Sequence, residues 1–137
     1  MRRVTTTAAL LGLSLCALLV PTPASAATTV EITSAKLVAR GVAVDITLTV
    51  TCEAGRPGGA EFSLRQRSGD NVAYGSSSGT TFTCTGVPQP VIGRVYAESG
   101  GFAFNRGIAL ATGSVALCTE IDCDYSPRIQ AEIRVTR

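Results

Sequence analysis

Val42-Ala43-Val44-Asp45-Ile46-Thr47-Leu48-Thr49-Val50-Thr51-Cys52 decides the fold. Val42, Val44, Ile46, Leu48, Val50 and Cys52 fall on one side of a two-residue period, with Ala43, Asp45, Thr47, Thr49 and Thr51 on the other. Such alternation predicts a long strand with one face buried and one wet. β-Branched residues on both faces fit a pleated surface better than a helix.

Working outward, Ala60, Phe62 and Leu64 alternate with Glu61, Ser63 and Arg65, and Ile129, Ala131, Ile133 and Val135 alternate with polar neighbours. Weaker strands are expected at Val30 to Ile32, Val72 to Tyr74, Thr81 to Thr85, Val91 to Glu98 and Ile108 to Cys118. Turn chemistry separates them at Gly55 to Gly59, Ser68 to Asn71, Pro88 to Pro90 and Ser99 to Gly101. The Ser-rich Ser76 to Thr81 reads as a hairpin connection, and no stretch carries a sustained helical period with caps. The expected fold is all-β, an antiparallel immunoglobulin-like β-sandwich of seven to eight strands, with a small closed barrel as the alternative.

The chain opens differently. Arg2 and Arg3 precede an apolar run from Ala8 to Val20, then Pro21-Thr22-Pro23 and Ala24-Ser25-Ala26. This is the layout of a secretory signal peptide over residues 1–26, leaving residues 27–137 as a single domain. The apolar run is shorter than the roughly 20 residues a spanning helix needs, so no membrane attachment is expected after cleavage. Cys16 sits inside the apolar run, where Leu15 and the continuing Ala17-Leu18 do not make a lipoprotein site.

The formal charge is +2, from 12 basic and 10 acidic residues, and Arg2 and Arg3 account for all of it. A neutral exported domain offers no electrostatic grip on nucleic acid. Histidine is absent, which removes Ser-His and Cys-His catalysis and the commonest zinc ligand. Catalysis would rest on carboxylates alone, and Asp45, Glu61 and Glu132 fall on outward strand faces; no enzyme is expected.

Four cysteines remain after the leader: Cys52, Cys84, Cys118 and Cys123. In an exported domain of this size they read as two disulfides. Three pairings are possible; Cys118 with Cys123 and Cys52 with Cys84 is preferred, because the others require two long crossing links. No C-x-x-C spacing points to a metal.

Thr119-Glu120-Ile121-Asp122, between the last two cysteines, with Asp124 just beyond, is the sharpest local constellation. Alternate carboxylates at Glu120, Asp122 and Asp124 resemble a Ca²⁺ loop. The glycine and distal glutamate of an EF-hand are missing, and the run reads as a solvated acidic loop; no metal or cofactor is expected. A disulfide-braced loop also loses little entropy on docking, making Thr119, Glu120, Ile121, Asp122 and Asp124 a possible binding loop. Phe62, Phe82, Phe102 and Phe104 are expected in the core. Glycan platforms are usually aromatic, and here tryptophan is absent and Tyr74, Tyr96 and Tyr125 are scattered. Glycan binding is therefore not expected, unless two or more of these tyrosines prove exposed and coplanar.

Thr51-Cys52-Glu53-Ala54-Gly55, Gln66, Thr83-Cys84-Thr85-Gly86 and Phe104-Asn105-Arg106-Gly107-Ile108-Ala109 resemble a group of small secreted actinobacterial immunoglobulin-like domains without an assigned activity. A fainter similarity is to secreted apoproteins of the neocarzinostatin type, sandwiches with two disulfides, one closing a C-x4-C loop like Cys118 to Cys123. That resemblance implies small-ligand carriage, although Cys52 and Cys84 lie much farther apart than that family's other pair. The expected function is therefore extracellular and non-enzymatic, a binding or interaction module for an extracellular protein or small ligand. Small-ligand carriage and protease inhibition through the Cys118–Cys123 loop are the alternatives.

Overall fold

The computed structural model describes residues 27–137; the predicted leader lies outside the described residues. In chain order the elements are β1 (Thr29–Val38), a 3-10 turn (Ala39–Gly41), β2 (Ala43–Thr51), β3 (Pro57–Ser68), β4 (Asn71–Thr83), β5 (Gln89–Ala97), β6 (Gly107–Cys118), β7 (Cys123–Tyr125) and β8 (Ile129–Thr136).

β2 obeys the alternation that announced it. Val44, Ile46, Leu48 and Val50 are fully buried and Cys52 nearly so. The period breaks only at the entry, where Val42 is 54% exposed and Ala43 is buried. Ala39, Arg40 and Gly41 all take positive φ, so the chain enters β2 from a left-handed turn that rotates Val42 outward. Gly41 is required there: its carbonyl accepts the Phe104 N–H at 2.8 Å, and a Cβ would collide with the Phe104 carbonyl.

The strands join in a ring, β3-β4-β5-β2-β1-β8-β6, closed by pairing of β6 with β3; β7 is a short eighth strand on β6. The all-β expectation and the strand number hold, but the sheet is mixed rather than purely antiparallel. β1 and β8 run parallel at Ala35↔Val135 and Lys36↔Thr136. The reason is topological. Alternating directions cannot close around an odd number of strands, so a seven-membered ring needs a parallel link.

Two links are short. β1–β8 has two residue pairs, and β4–β5 has Gly75↔Ala97 and Ser76↔Tyr96. These seams divide the ring into β5-β2-β1 and β4-β3-β6-β8, with the apolar faces of both halves meeting inside. Phe62, Leu64, Ile46, Leu48, Val95, Val115 and Leu117 fill the interior, and buried Phe104 belongs to the same cluster. Two glycines make the fit possible. Phe62 lies against Gly93 of β5 and Leu48 against Gly113 of β6, each where an added Cβ would clash.

Several local expectations change. Ser76 to Thr81 is not a connection; β4 runs straight through it, with a bulge opposite Ala60 to Phe62 absorbing the extra residue. Pro57, Gly58 and Gly59 belong to β3 rather than a turn, because β4 and β6 pair with them, and Gly58 lies against Phe82 and Leu117 where only a hydrogen fits. Gln89 and Pro90 likewise open β5. Phe102 is 47% exposed on the β5–β6 crossover, so it is not a core residue; Phe62 and Phe104 are, and Phe82 is partly buried.

Candidate binding surfaces

Cys52 and Cys84 are bonded, with 5.5 Å between Cα atoms, and Cys118 is bonded to Cys123, with 4.0 Å. Both cysteines of the first bridge are buried at one end of the core. The second bridge forms the last rung of the β6–β7 hairpin, where Cys118 and Cys123 face each other.

The hairpin tip is tied internally. The Thr119 N–H donates to the Asp122 carbonyl at 2.7 Å, the Asp122 N–H donates to Thr119 Oγ1 at 3.1 Å, and the Cys123 N–H donates to Asp122 Oδ1 at 2.8 Å. Its base is tied to the rest of the protein by Arg56. One Arg56 nitrogen donates to the Leu117 carbonyl at 3.2 Å and to Asp124 Oδ2 at 2.9 Å. The Arg56 carbonyl meanwhile accepts the Cys84 N–H at 2.9 Å, so one residue links the surroundings of both disulfides.

The five predicted loop residues thus have different roles. Thr119 and Asp122 hold the turn, and Asp124 is engaged by Arg56. Glu120 and Ile121 face solvent, Ile121 at 96% exposure. The three carboxylates are spent separately instead of converging on a cation. Among the described residues no group of three or more His, Cys, Asp or Glu side chains could hold a metal ion.

A second surface was not legible in the sequence. The outward side chains of β4, β3, β6 and β8 align in rows: Ser76, Ser63, Thr112 and Gln130 form one, and Tyr74, Arg65, Leu110 and Glu132 the next. They border overlapping shallow clefts of about 310 Å³ each, which share Ser63, Tyr74, Thr112 and Arg128. A third, of about 210 Å³, continues past Glu61 and Ser114 to Tyr125. The Arg65 guanidinium lies over the Tyr74 ring at 5.3 Å. Arg128 approaches Glu61 at 4.0 Å. The alternation marked Ser63, Arg65, Gln130 and Glu132 as outward, but Ser76 was read as a connection, and only the register of four strands places them all together.

The opposite half carries an ion pair on its outer face. Arg94 forms a two-point ion pair with Asp45, at 2.6 and 2.8 Å. The Arg94 hydrogen bonds hold the Asp45 carboxyl below its ordinary range, outweighing the upward push of partial burial, and the Arg94 charge adds to the lowering.

No protein-family model, curated protein or solved structure matches the chain.

Proposed function

We propose that the chain is exported and acts outside the cell as a non-enzymatic binding module, docking a protein partner through the β6–β7 hairpin tip. The observation that carries this reading is Ile121, almost wholly exposed on a loop held by a disulfide, its own hydrogen bonds and Arg56. Ile121 is the most exposed of the large apolar side chains among the described residues, and a pre-organised loop loses little entropy when such a side chain is covered. Two disulfides in a small domain fit an oxidising exterior. The shortness of the two seams favours reading the ring as a flattened, immunoglobulin-like sandwich. The absence of histidine and the outward stance of Asp45, Glu61 and Glu132 favour a binding role over catalysis.

Protease inhibition is a particular form of the same docking, favoured by the rigidity of Thr119 to Asp122. Carriage of an apolar ligand draws less support, since the two clefts of about 310 Å³ carry more serines, threonines and charged groups than apolar side chains.

The test is capture from culture supernatant on the immobilised protein, run in parallel with Ile121→Asp. A partner retained by the wild type and lost by the variant is the expected result. Equal retention by both removes the hairpin from the proposal. Micromolar assays against secreted serine proteases decide the inhibitor form. Mass measurement of the protein from culture medium tests export, with an N-terminus at Ala27 expected.

A further inference from the structure

We infer that the trough across β4, β3, β6 and β8 is a binding site for a short acidic oligosaccharide. It is a second site, separate from the hairpin tip.

Its dimensions follow from the strands. Four strands span about 14 Å across, and Leu110 to Ala116 along β6 spans about 20 Å. The floor is made of hydroxyls. Ser63, Ser76, Thr112 and Ser114 point outward, and among the described residues none of these side chains makes a hydrogen bond within the protein. Each keeps a donor and acceptors for a ligand. Tyrosines stand at both ends. Tyr74 lies at the Arg65 end, and Tyr125, paired with Ala116 and 78% exposed, lies at the other. The exposed Tyr125 ring can take the C–H side of a sugar, while half-buried Tyr74, covered by the Arg65 guanidinium, orients that cation; with hydroxyl partners between, the two ends match the mixed surface of a saccharide. The fold has assembled tyrosines that are far apart in the sequence.

Charge narrows the class. The cleft at the Tyr74 end is lined by Arg65 and Arg128; Arg128 stands 4.0 Å from Glu61, and Glu132 follows Leu110 in the row, which leaves Arg65 as the cleft's cation without an ion pair among the described residues. Arg65 is already oriented by stacking on Tyr74, and a planar guanidinium accommodates a carboxylate at two points. A uronic-acid residue supplies both that carboxylate and the neighbouring hydroxyls.

Other occupants fit less well. An extended peptide would seek unpaired backbone, which lies at the short seams outside β4 and β8 and not on the trough floor, where β3 is paired with β4 and β6, and β6 with β3 and β8. Nucleic acid repeats a phosphate at every step and needs a clustered basic surface, whereas this face balances Arg65 and Arg128 with Glu61 and Glu132; a saccharide needs only one carboxylate, set on Arg65. An acyl chain would meet hydroxyls.

The test is backbone-amide NMR of the purified protein titrated with short uronic-acid oligomers and with neutral oligomers of matched length. Uronic-acid oligomers are expected to shift Ser63, Thr112, Ser114 and Gln130 while leaving the outer face of β1, β2 and β5 unmoved. Affinity is expected to fall about tenfold in Arg128→Gln and in Tyr125→Ala, both at exposed positions where folding is not at stake. Ile121→Asp is expected to bind as the wild type does, which separates this site from the hairpin. Binding confined to neutral oligomers, to peptides or to another face, or no binding at all, would overturn the inference; the titration of the unaltered protein decides this without any variant.

Discussion

Gln66 and Asn105 clasp each other across the end of the barrel. Gln66, the buried polar residue of β3, accepts the Asn105 N–H at 2.7 Å through Oε1 and donates Nε2 to the Asn105 carbonyl at 2.8 Å. The amide thereby satisfies both backbone groups of a residue on the crossover between β5 and β6. The partner lies 39 residues away along the chain. Beside it, Phe104 seats in the core with its N–H on the Gly41 carbonyl, so Gln66 and Gly41 together fasten the crossover that joins the two halves.

Replacing Gln66 with methionine keeps the volume and removes both hydrogen bonds. Leaving the Asn105 groups short of partners is expected to cost about 2 kcal/mol. Urea denaturation should show a lower midpoint with an unchanged slope. Amide exchange at Phe104 and Asn105 should accelerate more than exchange in β2.

Gly93→Ala should destabilise the protein by about 1–3 kcal/mol, because the new methyl meets the Phe62 ring. Trimming the ring in Phe62→Leu/Gly93→Ala is expected to recover part of that loss. A thermal-melt double-mutant cycle measures the coupling, and strict additivity would show that the two residues do not contact each other.

The two disulfides should differ in what they stabilise. Loss of Cys52–Cys84, whose partners are 32 residues apart, is expected to cost about 3.7 kcal/mol, and loss of Cys118–Cys123 about 2 kcal/mol. Paired Cys→Ala variants measured by denaturation check the order. Removing the second bridge should also free the tip, read as faster amide exchange at Asp122 and Cys123.

Acid should weaken the outer face of β2 and β5. The folded-state value of the Asp45 carboxyl lies below its ordinary 3.8, so the unfolded chain takes up that proton first. The stability contributed by the Asp45–Arg94 pair is therefore fully present above about pH 4 and is lost as pH falls through the folded value. Asp45→Asn should flatten this part of the acid limb in melting temperature against pH. The solvent exposure of the pair keeps the effect modest and sensitive to salt.

Alternating residues in β2, β3 and β8 declared their strands because an apolar side chain every second position has only one way to reach a common interior. Cysteine number and spacing favoured the bridge that closes the hairpin, since four intervening residues suit a tight turn. Local patterns failed where the deciding neighbour was remote. Ser76 to Thr81 has the composition of a loop, yet it is strand because β3 supplies the pairing edge. Val42 looks inward by period and is turned out by Ala39 to Gly41. Phe102 and Phe104 are indistinguishable by residue type, but Phe104 alone is held by the Gly41 carbonyl.

The sequence by itself determined an all-β chain with one wet and one apolar face per strand, and a braced loop between Cys118 and Cys123. Tertiary structure alone decided the parallel meeting of β1 with β8, the clasp of Gln66 on Asn105 and the gathering of Tyr74, Ser63, Thr112, Arg128 and Tyr125 along one trough. The physical reason is range. Burial preference is a property of each residue and its nearest neighbours, whereas ring closure and shared register depend on which distant strand supplies the next row of hydrogen bonds.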